Sequence, residues 1–179
     1  SEVAYTEEIT PNPLSVYGLS KLKGEDALMV MANDWIIIRT SWLFSEYGDN
    51  FVKTMISLMK QKDKLRVVED EVGSPTYAAD LAEMIIHILQ LSEKDEWKTG
   101  LYHFCNSGEV SRYEFAKEIK RLAAIEDCEL SGITSKEYGS VVKRPAYSAL
   151  NPTKLANVFS VKIPRWEDAL ERCIKKINI

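Results

Sequence analysis

The stretch Ser15–Trp42, SVYGLSKLKGEDALMVMANDWIIIRTSW, decides the fold. Its first part carries Val16, Leu19, Leu22, Leu28 and Met31 at helical intervals, which predicts a helix from Ser15 to roughly Ala32. Asn33-Asp34 ends that helix. Trp35 to Arg39 follows as a short continuous apolar run, the pattern of a strand buried on both faces. A helix feeding straight into such a strand is a unit of an α/β sheet. Ligands of open α/β sheets gather beyond the carboxyl ends of the strands. Thr40, Ser41 and Trp42 occupy that position here.

The same helix holds Tyr17 and Lys21, whose spacing stacks two side chains on one face about a turn apart. YEFAK repeats that spacing with Tyr113 and Lys117, so spacing alone does not mark a proton-donating pair. Context separates the two. SRYE, Ser111 to Glu114, matches a capping box, and Phe115, Ala116, Ile119, Leu122 and Ala123 continue it as an amphipathic helix. Tyr113 and Lys117 therefore read as first-turn residues of an ordinary surface helix. Tyr17 instead has small neighbours, Gly18 and Ser20, with Gly24 further on. Glycine inside a helix costs up to about 1 kcal/mol, so close approach of another backbone or a ligand is expected there.

Working outward, residues 1–14 are an irregular lead-in, because Pro11 and Pro13 prevent a helix. Asn50 is a candidate cap for a helix over about 51–62 bearing Phe51, Met55, Leu58 and Met59. LRVVE reads as a strand and DEVGSPT as a loop. A helix from near Asp80 to Leu91 repeats Leu81, Met84, Ile85, Ile88 and Leu89. GLYHFCN is a strand closed by Asn106, Ser107 and Gly108, and CELSGIT is another. RPAYSALN is an extended loop, after which Asn151 caps a short helix with Pro152 at its first position. Pro164 opens a last helix carrying Trp166, Ala169, Leu170, Cys173, Ile174 and Ile177 on one side. The alternation gives an α/β domain with a parallel sheet component.

Composition narrows the function. The chain has 179 residues, a net charge of -4 and a pI near 5.4, with no Lys/Arg cluster, which argues against a nucleic-acid surface. No apolar run reaches membrane-spanning length, and the N-terminus has no signal-peptide layout, so a cytoplasmic location is expected. Cys105, Cys128 and Cys173 form no C-x-x-C pair and suit buried thiols in a reducing compartment. His87 and His103 lie in unrelated segments, so no metal site is expected.

YGLSKLKGE, IIIRTSWLFSEYGDNFVKTM, VGSPTYAADLAEMI, GLYHFCNSGEVSRYEFAKEI and RPAYSALN, in that order, make the chain resemble the extended short-chain dehydrogenase/reductases, in their nucleotide-sugar ketoreductase branch. The likeness spans essentially the whole chain but only the later part of the family's length. It implies the later part of a Rossmann-like parallel sheet plus a small substrate-binding lobe. Residues 1–40 would be a remnant of the NAD(P)-binding domain, and 41–179 mainly the substrate lobe with some sheet-domain elements. It further implies NADPH- or NADH-dependent reduction of dTDP-4-dehydro-L-rhamnose to dTDP-L-rhamnose.

In that chemistry Tyr17 is the general acid and Lys21 its partner, both also touching the cofactor. A tyrosine's ordinary pKa, about 10, is high for proton donation at neutral pH, and an ammonium beside it stabilises the phenolate. The resemblance matches Trp42 to the family's substrate-contacting tryptophan, whose flat ring packs on the sugar, and Arg144 is a candidate for the diphosphate on charge and position only. A core aromatic and a surface ion pair are the plain alternatives for those two. The family's glycine-rich phosphate loop is missing: the 8 glycines stand at 18, 24, 48, 73, 100, 108, 132 and 139. The family's catalytic Ser/Thr precedes its tyrosine, and Thr6 and Thr10 stand too close to Tyr17 to match it. The chain alone is therefore expected to be inactive, with an unpaired strand edge that favours dimerisation or marginal stability. Two alternatives share the pattern: a non-catalytic regulatory protein resembling the methionine adenosyltransferase regulatory subunit, and another nucleotide-sugar epimerase or dehydratase.

Overall fold

A computed structural model of the protein describes residues 3–92, 97–139 and 145–177. From the N-terminus the elements are α1 (Val16–Met31), β1 (Ile36–Arg39), β2 (Leu43–Phe44), α2 (Phe51–Gln61), β3 (Lys64–Val68), β4 (Val72–Gly73), β5 (Thr76–Tyr77) and α3 (Ala78–Ser92). They continue as β6 (Gly100–His103), β7 (Val110–Ser111), α4 (Arg112–Leu122), β8 (Glu129–Ile133), α5 (Ser135–Tyr138), β9 (Tyr147–Ser148), α6 (Thr153–Val158) and α7 (Trp166–Lys176). Strand pairing is mainly parallel: β1 with β6, β2 with β5 and β3 with β8, each partner separated by intervening helix. β4 is the centre of a three-stranded piece, antiparallel to β7 and parallel to β9. This is the α/β architecture that the alternating pattern predicts.

Two cores result. The larger gathers α2, α4 and α7 against β3, with Val52, Phe115, Ile119, Leu170 and Cys173 at 0–1% exposure. The helices start where side chains can satisfy their free N–H groups. Asn50 Oδ1 accepts from the N–H of Val52 and Lys53, and Ser111 Oγ from that of Glu114. The box at Ser111 is half made, because the Glu114 carboxylate takes the Lys117 ammonium at 3.0 Å instead. The smaller core joins α3, β6 and α6 through Met84, Ile88, Tyr102, Phe104, Leu155 and Phe159, with Ile36 and Ile38 of β1 packed on its edge.

Four expectations change. β1 is half-buried at all four positions rather than enclosed, because β6 is its one strand neighbour among the described residues. The segment expected as a plain loop, DEVGSPT, contains β4 and the start of β5, and Gly73 to Thr76 are buried within it. Ile85 and Leu89, placed on the apolar stripe of α3, are exposed, while Met84 and Ile88 carry that helix's burial. The short helix after Asn151 starts one residue late, at Thr153, whose N–H donates to Asn151 Oδ1 at 2.9 Å.

Asp80 ties the cores together. It is buried, takes both guanidinium nitrogens of Arg172 from α7 at 2.6 and 2.7 Å, and accepts from Asn106 Nδ2 at 2.6 Å. Asn106 Oδ1 in turn accepts from the Tyr77 N–H at 2.8 Å. A buried carboxylate needs such pairing to stay charged. All three cysteines are buried and free, and burial pushes the thiols of Cys105 and Cys173 up to about 11 and about 12.

Candidate functional site

The motifs RTSW, GSPT and PAYSAL are far apart in the chain and meet at the carboxyl end of β1. Thr76 holds the first two together: its hydroxyl donates to the Ser41 carbonyl at 2.6 Å, and its N–H to the Trp42 carbonyl at 3.2 Å. Thr40 Oγ1 lies 3.1 Å from Thr76 Oγ1. The third motif arrives as β9. Ser148 Oγ donates to the Val72 carbonyl at 3.2 Å, Ser41 Oγ to the Ser148 carbonyl at 3.4 Å, and the Leu150 N–H to Ser74 Oγ at 3.3 Å. The small hydroxyl residues of these motifs add side-chain bonds to backbone carbonyls beside the pairing of strands only two residues long.

Trp42 stands at the centre. Its φ of 43° is left-handed, a conformation that a bulky residue keeps only when its surroundings hold it. A β-carbon on Gly73 would run into the indole, so the ring rests directly on the backbone of β4. Arg112 Cζ lies 3.5 Å from the indole centroid and 4.9 Å from the Phe51 ring, and Phe115 packs at 6.4 Å. The ring is half-buried and packed against the larger core. Nearby, the Tyr147 hydroxyl donates to Glu109 at 2.6 Å. Burial first, and that carboxylate second, push the phenol up to about 12.

Tyr17 and Lys21 lie on α1, which Ser15 caps by accepting from the Gly18 N–H. Lys21 Nζ sits 5.3 Å from the centroid of the Tyr17 ring, and Tyr17 is 73% exposed. One turn beyond Lys21, Glu25 forms a two-point ion pair with Arg39, the last residue of β1. The Glu25 hydrogen bond raises the Arg39 pKa against its desolvation. Tyr17 lies about 12 Å along the axis of α1 from Glu25, toward the N-terminus of that helix. Gly18 lacks the β-carbon that would press on the Pro13 side chain at 3.1 Å, so the lead-in packs there; beside Gly24 there is open space.

The second pair is differently engaged. The Tyr113 hydroxyl donates to the Leu130 carbonyl at 3.4 Å, and Lys117 is paired with Glu114. Arg144 lies outside the described residues. Among those residues no group of His, Cys, Asp and Glu gathers to hold a metal.

The lead-in crosses the end of β6. The Tyr5 N–H donates to the Ala149 carbonyl at 2.8 Å, and the Asn151 N–H to the Tyr5 carbonyl at 2.9 Å. His103 Nδ1 lies 3.0 Å from the Tyr5 carbonyl, while the His103 N–H donates to Glu7 at 2.8 Å. Burial lowers the His103 pKa, against the pull of Glu7. Sequence reasoning missed this strap, and it missed Arg112 and Thr76. The repeated small hydroxyl residues in the three motifs were the available signal for Thr76. A lone arginine after a helix cap gave none.

Parallel β–α–β pairing and a motif cluster at the strand ends define the class: a Rossmann-like domain of the extended short-chain dehydrogenase/reductase type. Within that class the chain belongs to the RmlD substrate binding domain family, which matches residues 1–179. A dTDP-4-dehydrorhamnose reductase of Aggregatibacter actinomycetemcomitans is 42% identical over 176 residues, 93% of this chain and 59% of that protein. The spore coat polysaccharide biosynthesis protein SpsK of Bacillus subtilis is 39% identical over 172 residues, 96% of this chain and 58% of its own. Among solved structures, a Bacillus anthracis dTDP-4-dehydrorhamnose reductase in complex with NADP superposes with a TM-score of 0.90 at 39% identity. It is matched over 97% of this chain and 59% of its own length. The chain thus spans about three-fifths of the length of these relatives. A UDP-N-acetylglucosamine 4-epimerase of Bacillus cereus, 16% identical with a TM-score of 0.76, shares the fold alone.

Proposed function

We propose that this chain is the C-terminal part of a dTDP-4-dehydrorhamnose reductase, carrying its proton donor and most of its sugar-binding surface. The observation that carries the reading is the meeting of RTSW, GSPT and PAYSAL around Trp42, with α1 tied to the last residue of β1 by the Glu25–Arg39 pair. Residues 1–40 then belong to the NAD(P)-binding domain and 41–179 mainly to the substrate lobe. The smaller core of α3, β6 and α6 supplies the sheet-domain elements within the latter range.

The residues present fit one end of a nicotinamide dinucleotide. Lys21 is exposed and has no carboxylate partner among the described residues, so its ammonium is available to ribose hydroxyls. The chain supplies no glycine-rich loop for the pyrophosphate. When bound, NAD(P)H supplies the hydride that adds to the C4 ketone of dTDP-4-dehydro-L-rhamnose. Tyr17 gives its phenolic proton to the alkoxide oxygen formed there, so the ketone leaves as an alcohol. Lys21 stabilises the phenolate left behind. Trp42 offers the part of its half-buried indole that Arg112 and Gly73 leave uncovered as the surface on which a deoxy sugar packs. Arg144, outside the described residues, is the candidate cation for the diphosphate.

The test is turnover in the full-length protein. Tyr17→Phe should lower kcat by roughly 10²- to 10⁴-fold with cofactor binding retained, the range for loss of a positioned general acid. Tyr113→Phe should leave turnover unchanged. Full turnover in Tyr17→Phe would remove the assignment.

A further inference from the structure

We propose that Arg112 is a positioning residue of the sugar site, acting through Trp42; this rests on the reading of Trp42 as the substrate-packing ring. Three observations bring the two side chains together. First, β4 supports both: the indole lies on Gly73, where any β-carbon would collide with it, and Val72 pairs with Ser111, the residue before Arg112. Second, the Arg112 N–H donates to the Glu71 carbonyl at 3.1 Å, which anchors the first residue of α4 to the start of β4. Third, the guanidinium carbon sits 3.5 Å from the indole centroid, with the Phe51 ring 4.9 Å away. A planar cation at that distance covers one face of the indole, the preferred geometry of an arginine on tryptophan.

The consequence is control of the ring plane. Trp42 has two side-chain torsions, and its left-handed backbone is one a bulky residue keeps only when its surroundings hold it. The Gly73 backbone against Nε1, Cε2 and Cζ2 and the guanidinium over one face hold the indole in one orientation. A sugar meeting that ring meets a surface already set. Lysine would keep the charge and lose the planar stack, so charge alone does not reproduce the effect.

A double-substitution cycle on the chain tests this, with dTDP-L-rhamnose as probe in calorimetry and near-ultraviolet circular dichroism on the same samples. The Trp42 signal is obtained by subtracting the spectrum of Trp42→Phe. Arg112→Ala should change that signal and weaken binding roughly three- to tenfold, the size of one cation–π contact. Arg112→Lys should behave like Arg112→Ala. Once Trp42 is Phe, Arg112→Ala should weaken binding no further. An equal loss in both backgrounds would overturn the proposal, as would wild-type binding by Arg112→Lys. An unaltered Trp42 spectrum in Arg112→Ala would overturn it whatever the binding shows. If instead Trp42→Phe binds the probe as wild type does, the sugar-site reading fails, and the spectrum alone decides whether Arg112 positions the ring.

Discussion

The α2–α4–α7 core and the α1–β1 unit both carry apolar side chains on their helices, yet they end in opposite states. In the first, Phe115 is stacked on Phe51 at 5.8 Å and edge-on to Trp166 at 5.6 Å, and every helix turns an apolar stripe inward. In the second, α1 has no buried residue at all: Val16, Val30 and Met31 are 85–87% exposed. A helix of soluble protein does not normally offer apolar side chains all round its surface. The contrast teaches where the chain is self-sufficient. The lobe closes its own core, whereas α1 and β1 carry surface suited to further structure. The ion pair of Glu25 with Arg39 ties α1 to β1, and β1 in turn pairs with β6.

The largest expected effect lies in the closed core. Phe115→Ala should cost about 3–5 kcal/mol, the usual range for emptying a buried aromatic site, as read from urea unfolding. Next is the latch between the cores. Asp80→Ala should cost about 2–3 kcal/mol in the same assay, because Asn106 loses a buried partner and Arg172 its ion pair. Gly73→Ala follows at about 1–3 kcal/mol, since the indole of Trp42 must shift to admit a methyl group. Smallest is the exposed unit. Val30→Ser should change stability by less than about 0.5 kcal/mol, as expected for a surface site. A loss there as large as at Phe115 would break the comparison.

A pH series sharpens it from the side of the lead-in. His103 has a folded pKa below its ordinary 6.5 because burial disfavours its charged form. The unfolded chain therefore binds the extra proton first as pH falls. The contribution of neutral His103 is full above pH 6.5 and is lost progressively below it, toward the lower folded value. Melting temperatures should fall between pH 7.5 and 5.0, and His103→Gln should flatten that fall. The carboxylates of Glu7 and Glu25 favour protonation of His103, and Arg39 opposes it. An identical fall in both proteins would place the pH sensitivity elsewhere.

The elements with strong periodicity were legible: α2, α4 and α7 each show their buried face in the residues, and Asn50 and Ser111 mark helix starts. Burial of Ile36–Arg39 was not legible, because an apolar run records what a strand can cover and not which neighbours it has. GSPT hid its strands because two-residue strands have no period to read. They exist through hydroxyl-to-backbone bonds with segments tens of residues away. The spacing of Tyr17 and Lys21 was visible from the start. The tie between their helix and β1 is a carboxylate one turn further on, whose partner, Arg39, only the folded chain reveals.

Native-state hydrogen exchange measures the two regions in one experiment. In the isolated chain, amides of α4 should exchange only through global unfolding, and amides of α1 through local opening at a much smaller free energy. Equal protection of α1 and α4 would mean that α1 is as firmly held as the closed core, and the division drawn here between a self-sufficient lobe and an open unit would be wrong.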